Sequence, residues 1–131
     1  MIIAIGTDIA KVERIQQAYE SYGRRFLQKV FTEEESRFCL SRKHPAPALA
    51  ARFAAKEAVS KCLGTGFRRG VYPNLIEIVD NEKSRPIVKL HGRALEFGKD
   101  HIFHLSLSHE KEFVIAVAVM ETPTHEKASK K

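Results

Sequence analysis

Asp8, Glu57 and Lys61 are the side chains whose types and spacing offer chemistry. Glu57 lies inside ALAARFAAKEAVSKCL, residues 48–63, a run dense in the best helix former. At about 100° per residue, Glu57 falls between Ala50 and Phe53, with Ala54 close by; Ala51, Ala55, Val59 and Cys62 take the opposite side. Neither side is a solvated polar face, and a carboxylate among alanines is either paired or bound to something. Lys61 stands one turn further on. The two form either an ordinary i,i+4 ion pair, worth a few tenths of a kcal/mol, or a carboxylate that holds a metal beside a lysine that meets an anion. Asp8 follows the apolar run IIAIGT. It is either the N-cap of a helix beginning near Ala10 or a second hard oxygen ligand. A carboxylate from a strand end and one from a helix interior suit Mg²⁺, which takes one or two carboxylates and completes its shell with phosphates and water.

Other residues could support such a centre. The glycine loop GTGFRRG, residues 64–70, follows a helix and lacks the G-K-[ST] ending of a Walker loop. Its glycines serve as a helix cap and turn, or its Arg68 and Arg69 meet phosphate. S-L-S-H, residues 106–109, puts Ser106 and Ser108 on one strand face and Leu105 and Leu107 on the other. The chain contains no G-x-S-x-G elbow, so Ser108 and His109 read as phosphate contacts or a polar strand end, not a nucleophile pair. The six histidines show no zinc spacing. Arg14, Arg24, Arg25 and Lys29 form an early basic cluster, either a solvated face or a dock for an acidic partner.

These residues must be positioned by a small set of elements. Residues 2–7 predict a short buried strand that Gly6 and Thr7 break. Val12, Ile15, Tyr19 and Tyr22 recur at helical spacing up to Gly23, and residues 24–30 form a second short helix. T-E-E-E from Thr32 spells a capping box for a helix reaching about Leu40. The alanine-rich helix follows Pro45 and Pro47 and ends at Gly64. Residues 75–79 and 86–90 predict a hairpin, 91–98 a short helix, and 102–108 and 112–120 two final strands. Helices first and hairpin-linked strands later predict an α+β single domain, an antiparallel sheet against a long central helix.

The 131 residues, 44% hydrophobic and 29% charged, exclude a disordered chain, and the net charge of +6 favours acidic or phosphate-rich partners. No run reaches the roughly 18 apolar residues of a membrane span. Two isolated cysteines fit a reducing cytoplasm rather than a disulfide framework. With aromatics at 8% and no Trp, a nucleic-acid-binding module lacks its stacking residues.

G-T-D-I at residues 6–9, R-F-A-A-K-E-A-V-S-K at 52–61 with G-T-G at 64–66, and S-L-S-H-E-K-E at 106–112 together resemble the holo-[acyl-carrier-protein] synthase family of phosphopantetheinyl transferases. The resemblance covers residues 1–121 and leaves 122–131 as a charged, flexible tail. It implies transfer of the phosphopantetheine arm of coenzyme A to a serine of an acidic acyl carrier protein in fatty-acid synthesis. That reaction requires Mg²⁺ and releases adenosine 3′,5′-bisphosphate. It implies Asp8 and Glu57 as metal ligands and Lys61 as a catalytic residue that neutralises phosphate charge or helps with proton transfer as the diphosphate link breaks. Coenzyme contacts would come from Arg52, Lys56, Ser108 and His109, with Gly64, Gly66 and Pro86 flanking the nucleotide. Arg14, Arg24 and Arg25 would dock the carrier, and three copies would share sites between subunits. Two features depart from the family pattern: the segment 91–104 is short, and Ser84 stands where relatives often carry glycine. A binding module that had abandoned catalysis would have lost Asp8 or Glu57, and both are present.

Overall fold

The computed structural model describes residues 1–123. The charged tail expected over 122–131 lies, from residue 124 onward, outside the described residues. Strand β1 (Ile2–Lys11) opens the chain, followed by helices α1 (Val12–Tyr22), α2 (Arg24–Val30), α3 (Glu33–Leu40) and α4 (Pro45–Leu63). A short 3-10 turn (Pro73–Leu75) leads into β2 (Ile76–Asp80) and β3 (Pro86–Leu90), then α5 (Gly92–Gly98), β4 (Ile102–His109) and β5 (Phe113–Glu121). The strands form two antiparallel sheets, one ordered β1-β5-β4 and one made of β2 and β3. The α+β architecture expected from the element order is the one observed. At the boundary expected after residue 121, the Thr122 N–H still donates to Met1 O at 2.9 Å.

Local chemistry explains most element ends. The Thr32 hydroxyl accepts from the Glu35 N–H while the Glu35 carboxylate accepts from the Thr32 N–H, so α3 begins with the capping box that its spelling predicts. Helix α4 starts one turn earlier than its alanine run, with Pro45 in its first turn, where a missing N–H costs nothing. Gly64, left-handed at φ 80°, ends α4.

The first strand corrects two expectations. It does not break at Gly6 and Thr7 but runs on to Lys11, so Asp8 is an interior strand residue and not a helix cap. Nor is it buried on both faces. Ala4, Gly6, Asp8 and Ala10 face α4, whereas Ile5 (63% exposed) and Ile9 (60%) face outward. The open face continues on β5 through Phe113 and Ile115 and on β4 through Ile102, His104, Ser106 and Ser108. Because both faces of β1 are largely apolar, its alternation is invisible in the sequence.

Helix α4 packs across the covered face of the three-stranded sheet. Small residues line the seam: Ala54, Ala55 and Ala58 from the helix, and Ala116 and Ala118 from β5, all fully buried. Without side-chain bulk between them, helix and sheet approach closely, which brings a helical carboxylate to a strand carboxylate.

Candidate active site

Asp8 rises from β1 opposite Ala116 and points toward α4, its side chain 15% exposed. Glu57, half-buried on α4, lies near enough for the charge on Asp8 to act on it. Burial pushes Asp8 above the usual carboxylate range, with Lys61 opposing it. Burial raises Glu57 as well, the negative charge of Asp8 adds to the rise, and Lys61 again opposes it. Lys61 turns from Glu57 to the strand: its ammonium donates to Thr7 O at 2.7 Å and stands 3.5 Å from Asp8 Oδ1. Two carboxylates crowded against one ammonium form a site with excess negative charge, the electrostatic condition for a divalent cation. Among the described residues no cluster of three or more His, Cys, Asp or Glu could hold a metal. Two hard oxygen ligands fit Mg²⁺, which keeps waters and substrate phosphates in the rest of its shell, and do not fit zinc, which takes three or four protein ligands.

A second feature lies further toward the start of α4. A cavity of about 740 Å³ is lined by Phe38, Arg42, Ala48, Arg52, Asp80, His109 and Lys111 among others. The guanidinium groups of Arg42 and Arg52 stack on the Phe38 ring, at 4.7 and 4.3 Å from its centroid. Arg52 is 8% exposed, its Nε lacks a hydrogen-bond partner, and its nearest anion, Asp80, is 3.9 Å away. A buried guanidinium with spare donors is ready to take phosphate oxygens. Phe38 on α3, Arg42 just beyond its end and Asp80 at the end of β2 join this site, and no local motif in the sequence marks them.

The remaining expected residues fall as follows. His109 ends β4 and lines the same cavity. Pro86 begins β3 opposite Asp80. Ser108 faces the open side of the sheet with Ser106, away from Asp8. Gly64 and Gly66 have positive φ and close the end of α4, with the Gly66 N–H donating to Ser60 O at 3.1 Å. Arg14, Arg24, Arg25 and Lys29 are exposed on α1 and α2, and Arg25 and Lys29 border a 210 Å³ hollow with Tyr22 and Phe26.

Lys56 corrects an expectation. The resemblance made it a coenzyme contact, yet it is fully buried. Its ammonium donates to Glu35 Oε1 at 2.7 Å, Pro73 O at 3.0 Å and Ile76 O at 2.6 Å. All three protons are used, so none remains for a ligand. Glu35 in turn accepts from the Ile78 N–H at 2.7 Å. The pair ties α3, α4 and β2 together, and alternation along α4 sends Lys56 inward while Glu57 faces the seam.

The model of the 4′-phosphopantetheinyl transferase superfamily matches residues 4–118. The chain belongs to this family. The transferase is 41% identical over 120 residues to the holo-[acyl-carrier-protein] synthase of Chlorobium phaeovibrioides, across 92% of this chain and 95% of that one. In structure it matches the holo-[acyl-carrier-protein] synthase of Neisseria meningitidis with a TM-score of 0.83 and 36% identity, over 93% of this chain and all (100%) of that one. The Bacillus anthracis synthase in complex with coenzyme A (3′,5′-ADP) matches at 0.81 and 35%, over 94% and 99%. Among the described residues, no helix of this transferase is long and apolar enough to cross a membrane.

Proposed function

We propose that this transferase moves the 4′-phosphopantetheine arm of coenzyme A to a serine of an apo acyl carrier protein, for fatty-acid synthesis, and releases adenosine 3′,5′-bisphosphate. The observation that carries the reading is the crowding of Asp8 and Glu57 beside Lys61 at the strand–helix seam. In the reaction, the bond between the pantetheine phosphorus and the bridging diphosphate oxygen breaks. A bond from the serine oxygen to that phosphorus forms, and the serine proton is released. Such transfer needs positioning and charge stabilisation more than a covalent enzyme group.

Asp8 and Glu57 would hold Mg²⁺. When bound, the ion polarises the phosphoryl oxygens and offsets charge on the departing bisphosphate. Lys61, steadied by the Thr7 carbonyl, presents its ammonium beside the metal ligands and meets a diphosphate oxygen. Arg52, stacked on Phe38, and His109 offer donors along the coenzyme's other phosphate. Pro86, Gly64 and Gly66 border the nucleotide through backbone shape rather than charge.

The open sheet face supports a homotrimer. Ile5, Ile9, Ile102, Phe113 and Ile115 expose large apolar side chains together on one sheet face, the kind of surface that marks a contact with another protein. Ser108 lies on this face, so it would reach a coenzyme shared between subunits. Arg14, Arg24 and Arg25 form the basic edge for an acidic carrier, an arrangement that speeds encounter and fixes register. The transferase unit is assigned to residues 1–121. Two free, buried cysteines suit a cytoplasmic enzyme.

Intact-mass analysis tests the reading. Apo carrier protein, coenzyme A and this protein give a phosphopantetheine-sized gain with Mg²⁺ and none with excess chelator. A competent carrier that gains no mass under either condition refutes it.

A further inference from the structure

Gly6 sits on the covered face of β1, two residues before Asp8, directly beneath α4. A Cβ placed on it would stand 2.1 Å from the Ala58 carbonyl oxygen, 3.1 Å from the Ala58 carbonyl carbon and 3.2 Å from Lys61 Cβ. The obstacle is helix backbone, which cannot rotate aside as a side chain can. Ala58 immediately follows Glu57, and Lys61 completes the same turn. Strand and helix backbone therefore approach closely beside the residues that carry the two carboxylates. Nothing in the backbone of Gly6 itself requires glycine: it lies inside a regular strand paired with Ala118, and it is absent from the positive-φ positions. Its missing side chain is used for proximity alone.

We propose that Gly6 is a positioning residue for the metal, setting the gap between Asp8 and Glu57 to the span of a small octahedral cation. This rests on the reading that these carboxylates hold Mg²⁺. Any side chain at position 6 must push strand and helix apart by more than 1 Å before its Cβ, 2.1 Å from the Ala58 oxygen, reaches the 3.4 Å of an ordinary contact. Mg²⁺ demands near-ideal geometry at about 2.0–2.1 Å, so it tolerates that gap poorly, whereas larger cations with longer and more adaptable bonds tolerate it better. Position 6 thus selects for ion size as well as affinity.

The test uses Gly6→Ala in the full chain. Binding is read by thermal-melt titration with Mg²⁺ and with Mn²⁺ in the absence of carrier, and transfer is read separately by intact mass. The half-saturating Mg²⁺ concentration should rise at least ten-fold in both readouts. The rise for Mn²⁺ should be smaller, and transfer should recover at high metal. A general packing defect would lower the melting temperature but leave the Mg²⁺-to-Mn²⁺ ratio unchanged, and that outcome overturns the proposal. If Gly6→Ala does not fold, Ala118→Val widens the same seam from the neighbouring strand, and a wild-type metal response in it also overturns the proposal. A wild-type protein that shows no Mg²⁺ response sinks the underlying reading instead, so the two failures are distinguishable.

Discussion

Replacing Lys56 by methionine keeps the length of its unbranched stem and removes the ammonium. Pro73 O then keeps only the Ile76 N–H, Ile76 O loses the ammonium, and the Glu35 carboxylate keeps only the N–H groups of Thr32 and Ile78. Breaking a fully buried ion pair from one side costs about 3–5 kcal/mol, because the remaining charge stays buried without its partner. A domain of this size has a net stability of about 5–15 kcal/mol. The variant should therefore fold but melt roughly 10–20 °C lower. Urea unfolding of wild type and variant gives the free-energy difference, and initial transfer rates well below the variant's melting point give its coenzyme KM. The KM should stay within about two-fold of wild type, since no Lys56 proton is free for a ligand. A variant within about 1 kcal/mol of wild-type stability, yet with coenzyme KM raised ten-fold, would refute the structural assignment and restore Lys56 to the coenzyme site.

The remaining predictions address other parts of the molecule. Burial pushes Glu77 up, but its bonds to His91 at 2.8 Å and to the Thr32 hydroxyl at 2.9 Å outweigh that and hold it below the ordinary glutamate value of 4.5. A depressed carboxylate adds stability that is full above that value and fades as pH falls through its folded value. Wild type should thus exceed Glu77→Gln in stability at pH 6, with the gap closing below pH 4.5; a gap that widens in acid would contradict this. Arg14→Glu should raise the carrier KM roughly five- to ten-fold and leave the coenzyme KM unchanged, and added salt should shrink the difference. Ser84 is held at φ 59°, so Ser84→Gly should stabilise the hairpin by up to about 1 kcal/mol, visible as a higher melting temperature. Ile115→Lys, on the open sheet face, should reduce a trimeric light-scattering mass to that of one chain and lower transfer with it; an assembled, fully active variant would argue against a shared site.

Sequence alone revealed what local rules govern. The T-E-E-E capping box, the alanine run of α4, its closing Gly64 and the hairpin around Asp80 and Pro86 all lie where composition and spacing put them. Asp8, Glu57 and Lys61 were legible as candidates because carboxylates among small apolar residues need an explanation. The missing parts depend on contacts between distant segments. Gly6 reads as a strand break, because a sequence cannot distinguish a glycine that bends the chain from one that admits a helix backbone. Glu35 reads only as a cap, although its second oxygen and Lys56 tie β2 to two helices. Lys56 and Glu57 are neighbours in a site-like motif, and only the rotation of α4 separates the buried lysine from the carboxylate at the seam. Arg42 and Asp80 join Arg52 through the fold alone.

The central claim is that Asp8 and Glu57 form the metal site for transfer. Asp8→Asn and Glu57→Gln keep the shapes and remove the charges. Their transfer rates, measured by intact mass at fixed Mg²⁺, should each fall at least about 100-fold, a loss of about 2.7 kcal/mol of transition-state stabilisation. Their melting temperatures in chelator should equal or exceed that of wild type, because burial and mutual repulsion make the charged pair costly when no cation is present. Folded variants that transfer within about three-fold of wild type would contradict the account.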